Sequence, residues 1–200
     1  MFADKRSKKV VFVAHCVLNQ NAKVNQCAHY PGVMRELAEY LVESGLGIVQ
    51  MPCPELTYLG LDRQMDTRMV GTVESEDTRI AVRMRESAAR SACSRLVEDI
   101  AYQMGEYRKN GFEVVGILGI NGSPTCGVET NWSEDKEAPG AGVFLQALGE
   151  RLENNGMVVP IRGVKAANPS EAVFTAKQLT LSRPLPPEAT RTTPIPDLKR

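Results

Sequence analysis

The stretch KKVVFVAH, residues 8–15, is a short run of β-branched and other apolar residues. Such a run is typical of a strand that is buried on both faces of a parallel sheet. Three more segments have the same character: LGIVQMP at 46–52, GFEVVGILGI at 111–120 and GMVVPIRG at 156–163. The sequence therefore predicts four strands of one sheet.

Segments with apolar residues at helical spacing separate these strands. They are predicted as helices over 32–45, over 78–110 as one long helix, and over 141–154. Alternating strands and helices favour a parallel sheet with right-handed crossovers. The predicted fold class is α/β: a single-domain three-layer sandwich with a short, mostly parallel, Rossmann-like sheet of about four strands.

The predicted domain covers residues 1–180. Residues 181–200, LSRPLPPEATRTTPIPDLKR, are rich in proline and poor in large apolar side chains. Such a composition is typical of a surface-lying or disordered tail. The sequence therefore predicts one α/β domain followed by a C-terminal tail.

The charge balance is neutral, with 24 basic and 24 acidic residues. The sequence therefore has no strong net charge that would favour binding to long nucleic acid or to a membrane surface. No apolar run approaches the roughly 20 residues that span a bilayer, and the N-terminus lacks the apolar core of a signal peptide. We therefore expect a cytoplasmic protein, in which its 5 cysteines act as ligands, catalytic groups or buried apolar residues rather than disulfides.

Three of the cysteines follow predicted strands. Cys16 comes after the first strand, Cys53 after the second and Cys126 a few residues after the third. The carboxyl ends of parallel strands meet at one edge of a sheet, where ligands bind. Pro52 and Pro54 restrict the backbone on both sides of Cys53, which indicates that this thiol is held rigidly. The sequence predicts that the three thiols converge.

Converging thiolates bind soft metals. Three of them leave one position open in a zinc site, or one iron free in an iron–sulfur cluster. Cys27 is a weaker candidate for a fourth ligand, and His15 or His29 is a candidate to complete a zinc set. Cys93 lies on the apolar stripe of the predicted long helix and is interpreted as a core residue.

The same motifs produce a family resemblance. The order AHCVLNQN (14–21), PCPE (52–55), GSPTCG (122–127) and APGAG (138–142) resembles the thiouracil desulfidase (TudS-like) family, and most closely a TudS-related desulfidase subgroup. The similarity covers about residues 10 to 165. The main family has Cys-Leu-Leu-Gly where this chain has Cys16-Val17-Leu18-Asn19.

The resemblance implies a cofactor and a reaction. Cys16, Cys53 and Cys126 would hold a [4Fe-4S] cluster with one non-protein-bound iron, Glu55 would be the catalytic carboxylate and Ser123 an active-site hydroxyl. The implied enzyme is a non-redox desulfidase that converts C=S to C=O. A soft thiocarbonyl sulfur suits an open iron acting as a Lewis acid, and a nearby carboxylate can activate water.

The implied substrate is a small thiolated pyrimidine or nucleotide of the thiouracil or thiouridine type. Three residues near the motifs are candidates to contact it: Asn19, Asn21 and Trp132. The residues themselves leave two alternatives open. One is a zinc- or cysteine-dependent hydrolase that uses Cys53 and Glu55, and the other is a non-catalytic iron–sulfur sensor or sulfur carrier.

Overall fold

The structure is a computed structural model that describes residues 3–65 and 71–181. Within them the strands, numbered in chain order, are β1 Lys9–Val13, β2 Gly47–Gln50, β3 Glu113–Ile120, β4 Thr130–Ser133, β5 Lys136–Pro139 and β6 Ile161–Val164. The main sheet has the order β2-β1-β3-β6, and all its neighbouring strands are parallel. Strands β4 and β5 form a separate antiparallel hairpin.

The described helices are α1 His15–Leu18, α2 Arg35–Glu43, α3 Pro54–Leu59, α4 Val73–Met84, α5 Ser87–Lys109, α6 Val143–Asn154 and α7 Pro169–Leu181. Helix α5 packs on α6, and α2 packs on α7. The backbone at Gly116 of β3 lies against Leu179 of α7, whereas Gly119 lies against Leu145 of α6. Because strand residues three apart point to opposite faces, these helix pairs cover opposite faces of the sheet.

These layers confirm the predicted α/β three-layer sandwich with a parallel four-stranded sheet. The centre of the sheet is fully enclosed, since Val11, Phe12, Val13, Ile117 and Leu118 are buried. No helix within 3–65 and 71–181 is long and apolar enough to cross a membrane.

The prediction of one long helix over 78–110 is wrong. Helix α4 ends at Met84 and α5 begins at Ser87, because Glu86 has an extended backbone, with φ of −61° and ψ of 150°. The break lets α4 pack on the hairpin strand β4 while α5 packs on β3 and α6. The interrupted stretch, MRESAAR at 84–90, contains neither glycine nor proline, so it carries no local signal for a break.

Several elements have no counterpart in the sequence-based prediction: the short helices α1 and α3, a 3₁₀ turn at Gln20–Ala22, the β4–β5 hairpin and helix α7. The turn of the β4–β5 hairpin places Glu134 and Asp135 at positive φ, 52° and 62°, where asparagine and glycine are the usual signal. Helix α7 buries a narrow stripe of Ala172, Ala176 and Leu179. The predicted fourth strand is shorter and later, beginning at Ile161. Apart from Leu181, which ends α7, the predicted tail lies outside the described residues.

The loop that follows β3 is tied to β6 by side chains. The Asn121 Oδ1 atom accepts from the backbone N–H groups of Val128, Glu129 and Thr130. The Glu129 carboxylate accepts from the Asn121 amide and from the backbone N–H of Gly163. This arrangement fixes the loop that carries Cys126 against the edge of the sheet.

We predict that Gly163→Ala destabilises the protein by about 1–3 kcal/mol, the usual range for an added methyl group that does not fit. A Cβ at Gly163 would overlap the side chains of Asn121 and Glu129. Gly105→Ala in α5 is the matched control, because nothing lies within 4 Å of its Cβ position and alanine is favoured over glycine inside helices by roughly 0.5–1 kcal/mol. Urea denaturation of both variants measures the difference. Equal stability of the two variants would contradict the close packing of Asn121 and Glu129 against Gly163.

Candidate functional site

A cavity of about 340 Å³ lies where β1, β2 and β3 end. Its wall includes the three thiols predicted to converge, Cys16, Cys53 and Cys126, together with Glu55 and Ser123. Cys16 and Cys126, the two of these residues that lie farthest apart in the chain, are separated by 110 positions. The parallel sheet therefore brings together the residues that the sequence analysis placed at strand ends.

Cys53 lies at a junction between strand and helix. It is the N-cap of α3, Pro54 occupies the first turn, and the Cys53 Sγ accepts from the backbone N–H of Leu56 at 3.4 Å. Proline is favoured at the first position of a helix because its missing N–H has no partner there. The two prolines thus hold the thiol over the positive end of a helix, where a thiolate is stabilised.

Cys126 is held by a compact loop. The Ser123 Oγ accepts from the backbone N–H groups of Thr125 and Cys126 at 3.3 and 3.0 Å. The first turn of α6 donates into the same loop, from Val143 to the carbonyl of Pro124 and from Phe144 to that of Thr125. These bonds use the exposed N–H groups of the α6 N-terminus, so that end of the helix serves to fix the loop.

Cys16 lies in the short helix α1 just after β1. The Gln20 side chain donates to the carbonyl of Cys16 at 2.6 Å and accepts from the backbone N–H of His29 at 3.2 Å. Gln20 is 1 % exposed. A buried glutamine therefore connects Cys16 to the loop that contains Cys27 and His29, and both of these line the cavity.

Glu55 is held by hydrogen bonds to both of its carboxylate oxygens. Its side chain is nearly buried, and the Thr125 hydroxyl donates to Oε1 at 2.6 Å while the Arg63 Nε donates to Oε2 at 3.3 Å. Arg63, 1 % exposed, also donates to the carbonyls of Gly60, Leu61 and Ala22. Each oxygen of the carboxylate thus has its own donor, and its orientation is fixed.

The thiols share a low-dielectric environment. Burial, with a smaller contribution from the Glu55 charge, raises the pKa of Cys53 to about 12. Burial also raises the pKa of Cys126 well above its ordinary value, and the neighbouring Cys53 and Cys16 raise it further. Without a compensating positive charge the thiols therefore stay protonated at neutral pH. A bound metal provides such a charge, because metal coordination removes the thiol proton.

Among the described residues, no group of three or more His, Cys, Asp and Glu side chains is arranged to hold a single metal ion. All 5 cysteines are free. Cys93 is buried in α5, 3 % exposed, and does not line the cavity.

The three candidate substrate residues separate into two groups. Trp132, on β4, lines the cavity, and its indole N–H donates to the Thr78 hydroxyl at 2.9 Å. Asn19 and Asn21 are not among the residues of the cavity wall. The Asn19 Oδ1 instead accepts from the backbone N–H of Asn21 at 3.1 Å.

Several polar residues of the cavity wall were not identified from the sequence, among them Lys23, Arg63, Asp77 and Thr125. Thr125 lies between Ser123 and Cys126 in the motif SPTC, and this position could have identified it as a residue of the site. Arg63 lies in a turn with a φ of 54°, and Asp77 belongs to the helix that was predicted to begin one residue later. Nothing in their local sequence marks Arg63 or Asp77 as functional.

No family model matches the chain. A solved structure described as "[4Fe-4S]-dependent thiouracil desulfidase TudS" is similar, with a TM-score of 0.49 and 17% identity, over 85% of this chain and 99% of that chain. A curated relative, "Uncharacterized protein MJ0003" of Methanocaldococcus jannaschii, is 35% identical over 154 residues, which are 77% of this chain and 84% of the relative. The chain belongs to the family of that Methanocaldococcus jannaschii protein.

Proposed function

We propose that this chain is an iron–sulfur-dependent desulfidase that removes sulfur from a small thiocarbonyl compound of the thiouracil type. The observation that carries the proposal is the shared cavity: thiols from three strand ends face the same space as an oriented carboxylate. In this proposal Cys16, Cys53 and Cys126 hold a [4Fe-4S] cluster with one iron free of protein ligands. The reaction adds the oxygen of one water to carbon and releases hydrosulfide, with no net transfer of electrons.

The donor set fits such a cluster chemically. Thiolates are the ligands that iron–sulfur clusters prefer, and each of the three thiols comes from a segment held by backbone hydrogen bonds. The partial positive charge at the start of α3 and the Arg63 guanidinium, whose Nη2 lies 3.8 Å from the Cys53 Sγ, offset the negative charge of the ligands. When bound, the cluster would supply a Lewis acid for the soft sulfur of the substrate.

Glu55 supplies the base in this proposal. Its two donors, Thr125 and Arg63, hold the carboxylate in one orientation, and a catalytic group works best when its geometry is fixed in advance. The carboxylate accepts a proton from water as the oxygen bonds to carbon. The Thr125 hydroxyl, which lies 3.2 Å from the Ser123 Oγ, connects the carboxylate to Ser123. Ser123 then acts chiefly by shaping the loop around Cys126.

A hydrolase with Cys53 as a nucleophile is less well supported. The reactive form of cysteine is the thiolate, and the pKa of about 12 leaves Cys53 protonated in the metal-free chain. The deciding experiment is anaerobic reconstitution with iron and sulfide, followed by an assay for sulfide release from 2-thiouracil, 4-thiouracil and their nucleosides. Release of sulfide with formation of the oxo product supports the desulfidase. A reconstituted protein that carries iron but releases no sulfide from any of them would point to a sensor or carrier.

The first prediction from the proposed function concerns the ligands. Changing Cys16, Cys53 or Cys126 to serine, one at a time, should remove most of the bound iron, because two thiolates do not hold the cluster securely. Cys93→Ser is the matched control and should keep the iron, since Cys93 lies outside the cavity. Cys27→Ser should keep it as well if the cluster has three protein ligands. Iron content and visible absorption of anaerobically reconstituted protein measure these outcomes, and iron loss in Cys27→Ser would indicate four ligands.

The second prediction concerns Glu55. Glu55→Gln should keep the cluster but lower the rate of sulfide release by roughly 10²–10⁴-fold, the usual contribution of general acid–base catalysis. Glutamine fits the site, because its amide oxygen can face Arg63 while its NH₂ donates to the Thr125 hydroxyl oxygen. Glu98→Gln, which alters an exposed ion pair with Arg151, is the control for loss of a carboxylate. Near wild-type turnover in a fully iron-loaded Glu55→Gln sample would remove Glu55 from the mechanism.

A further inference from the structure

The cavity contains a carboxylate that the proposed reaction does not use. Asp77 of α4 faces the cavity, and the described residues provide its side chain with no hydrogen bond or ion pair. The other acids of the wall differ, since both oxygens of Glu55 have donors and Glu137 accepts from Thr130 and Lys165. Asp77 is therefore the acidic group of this wall with free capacity to accept a hydrogen bond.

The environment of Asp77 makes an unpaired carboxylate unfavourable. Burial, with a smaller contribution from the Glu55 charge, raises its pKa to about 6, although Lys23 acts in the opposite direction. Asp77 is half-buried, and a ligand that fills the cavity would remove water from its carboxylate, which would then need hydrogen-bond donors. An acceptor that lacks them, in a cavity, is suited to a donor that arrives with a ligand.

The surroundings of Asp77 indicate the shape of that ligand. The next residue, Thr78, accepts from the indole N–H of Trp132, so the helix that carries Asp77 also fixes the indole ring. An anchored aromatic ring offers a flat apolar surface on which planar rings stack. The cavity wall thus contains an aromatic ring and an acceptor without a donor among the described residues, a combination suited to a planar ring that carries an N–H group.

The charges of the wall favour a neutral donor over a cation. Lys23 lines the same cavity and is close enough to lower the pKa of Asp77, and Arg63 neutralises Glu55. An added cation would therefore meet positive charge as well as negative. A neutral N–H group satisfies Asp77 without that repulsion.

We propose that Asp77 determines substrate specificity by accepting a hydrogen bond from the ring N–H next to the thiocarbonyl carbon. This inference rests on the proposed desulfidase function and extends it from the reaction to recognition. Acyclic or N-substituted thiocarbonyl compounds lack either the planar ring or the donor. They should be poor substrates even though their sulfur is equally soft.

The test compares 4-thiouracil with its N3-methyl derivative, in which a methyl group replaces the N–H beside the thiocarbonyl carbon. The reconstituted wild-type protein should bind and convert the parent about 10- to 100-fold better, since a bound ring without the N–H would displace water from the Asp77 carboxylate and supply no donor in its place. Asp77→Leu keeps a similar branched shape but has no acceptor, so any steric exclusion of the methyl group remains. This variant should lose most of the discrimination, mainly through a higher KM for the parent compound. Asp99→Leu, at an exposed position of α5, is the matched control.

Binding of the two compounds, measured by calorimetry, separates this inference from the proposed function. Sulfide release from both compounds at equal efficiency would keep the desulfidase and overturn the role of Asp77. Tighter binding of the parent that depends on Asp77, without sulfide release, would keep the recognition and overturn the reaction. Absence of both binding and turnover would overturn both.

A stability measurement tests whether Asp77 is unpaired. The pKa of Asp77 is raised to about 6 in the folded protein, so the folded state favours the protonated form of Asp77. The free energy of unfolding of the wild type therefore decreases as the pH rises from about 4 to 6 and Asp77 loses its proton. Asp77→Asn should therefore be more stable than the wild type above about pH 6, and this advantage should shrink towards about pH 4. The charged or titratable groups that act on Asp77 are Lys23, Cys27, Glu55, Glu74 and Glu76. A variant less stable than the wild type at neutral pH would mean that Asp77 has a structural partner and would contradict the proposal.

Discussion

The parallel arrangement of β1, β2 and β3 is the constraint on which the site depends. Each of these strands ends at the same edge of the sheet, and each is followed by a segment that carries one thiol of the cavity wall. No local interaction could bring Cys16 and Cys126 together, because most of the domain separates them in the chain. The apolar centre of the sheet provides the free energy that holds the strands in register. The position of the thiols is therefore a consequence of the fold rather than of the loops alone.

The loops nevertheless determine how precisely the polar groups are oriented. Glu55 and Arg63 form a buried ion pair, an arrangement whose desolvation is unfavourable unless further hydrogen bonds satisfy both groups. Here the Thr125 hydroxyl donates a further hydrogen bond to the carboxylate, and three backbone carbonyls accept hydrogen bonds from the guanidinium. The hydrogen bond from Thr125 to Glu55 also joins the loop of Cys126 to the helix capped by Cys53. Fixing the carboxylate thus also fixes the relative position of two thiols.

The sequence was most informative where one physical requirement dominates. The central strands β1 and β3 are buried along most of their length, and the edge strands β2 and β6, although partly exposed, lie in short apolar runs. All four strands of the main sheet were therefore predicted, and the thiols at three strand ends followed from the topology. The break between α4 and α5 was missed because no residue at 85–86 signals it. The break accompanies the packing of α4 on β4. The hairpin turn was missed because Glu134 and Asp135 adopt positive φ without the usual asparagine or glycine.

The residues of the site were predicted unevenly. Cys53 and Glu55 lie beside prolines in a short motif, so the sequence alone identified them as candidates. Arg63 and Asp77 acquire their surroundings only through contacts made across the folded chain, and charged residues of this kind are common on any protein surface.

Glu55 and Asp77 are examples of two kinds of polar group in a cavity. A carboxylate whose oxygens both have donors, as Glu55 has from Thr125 and Arg63, is held in place and gains little from a ligand, so its value lies in its orientation. A carboxylate without donors, as Asp77 is among the described residues, keeps its capacity to accept a hydrogen bond and gains most when a ligand supplies a donor. The two acids therefore need not compete for the same role, because the fixed carboxylate is suited to act on water and the unpaired one is suited to select the ring.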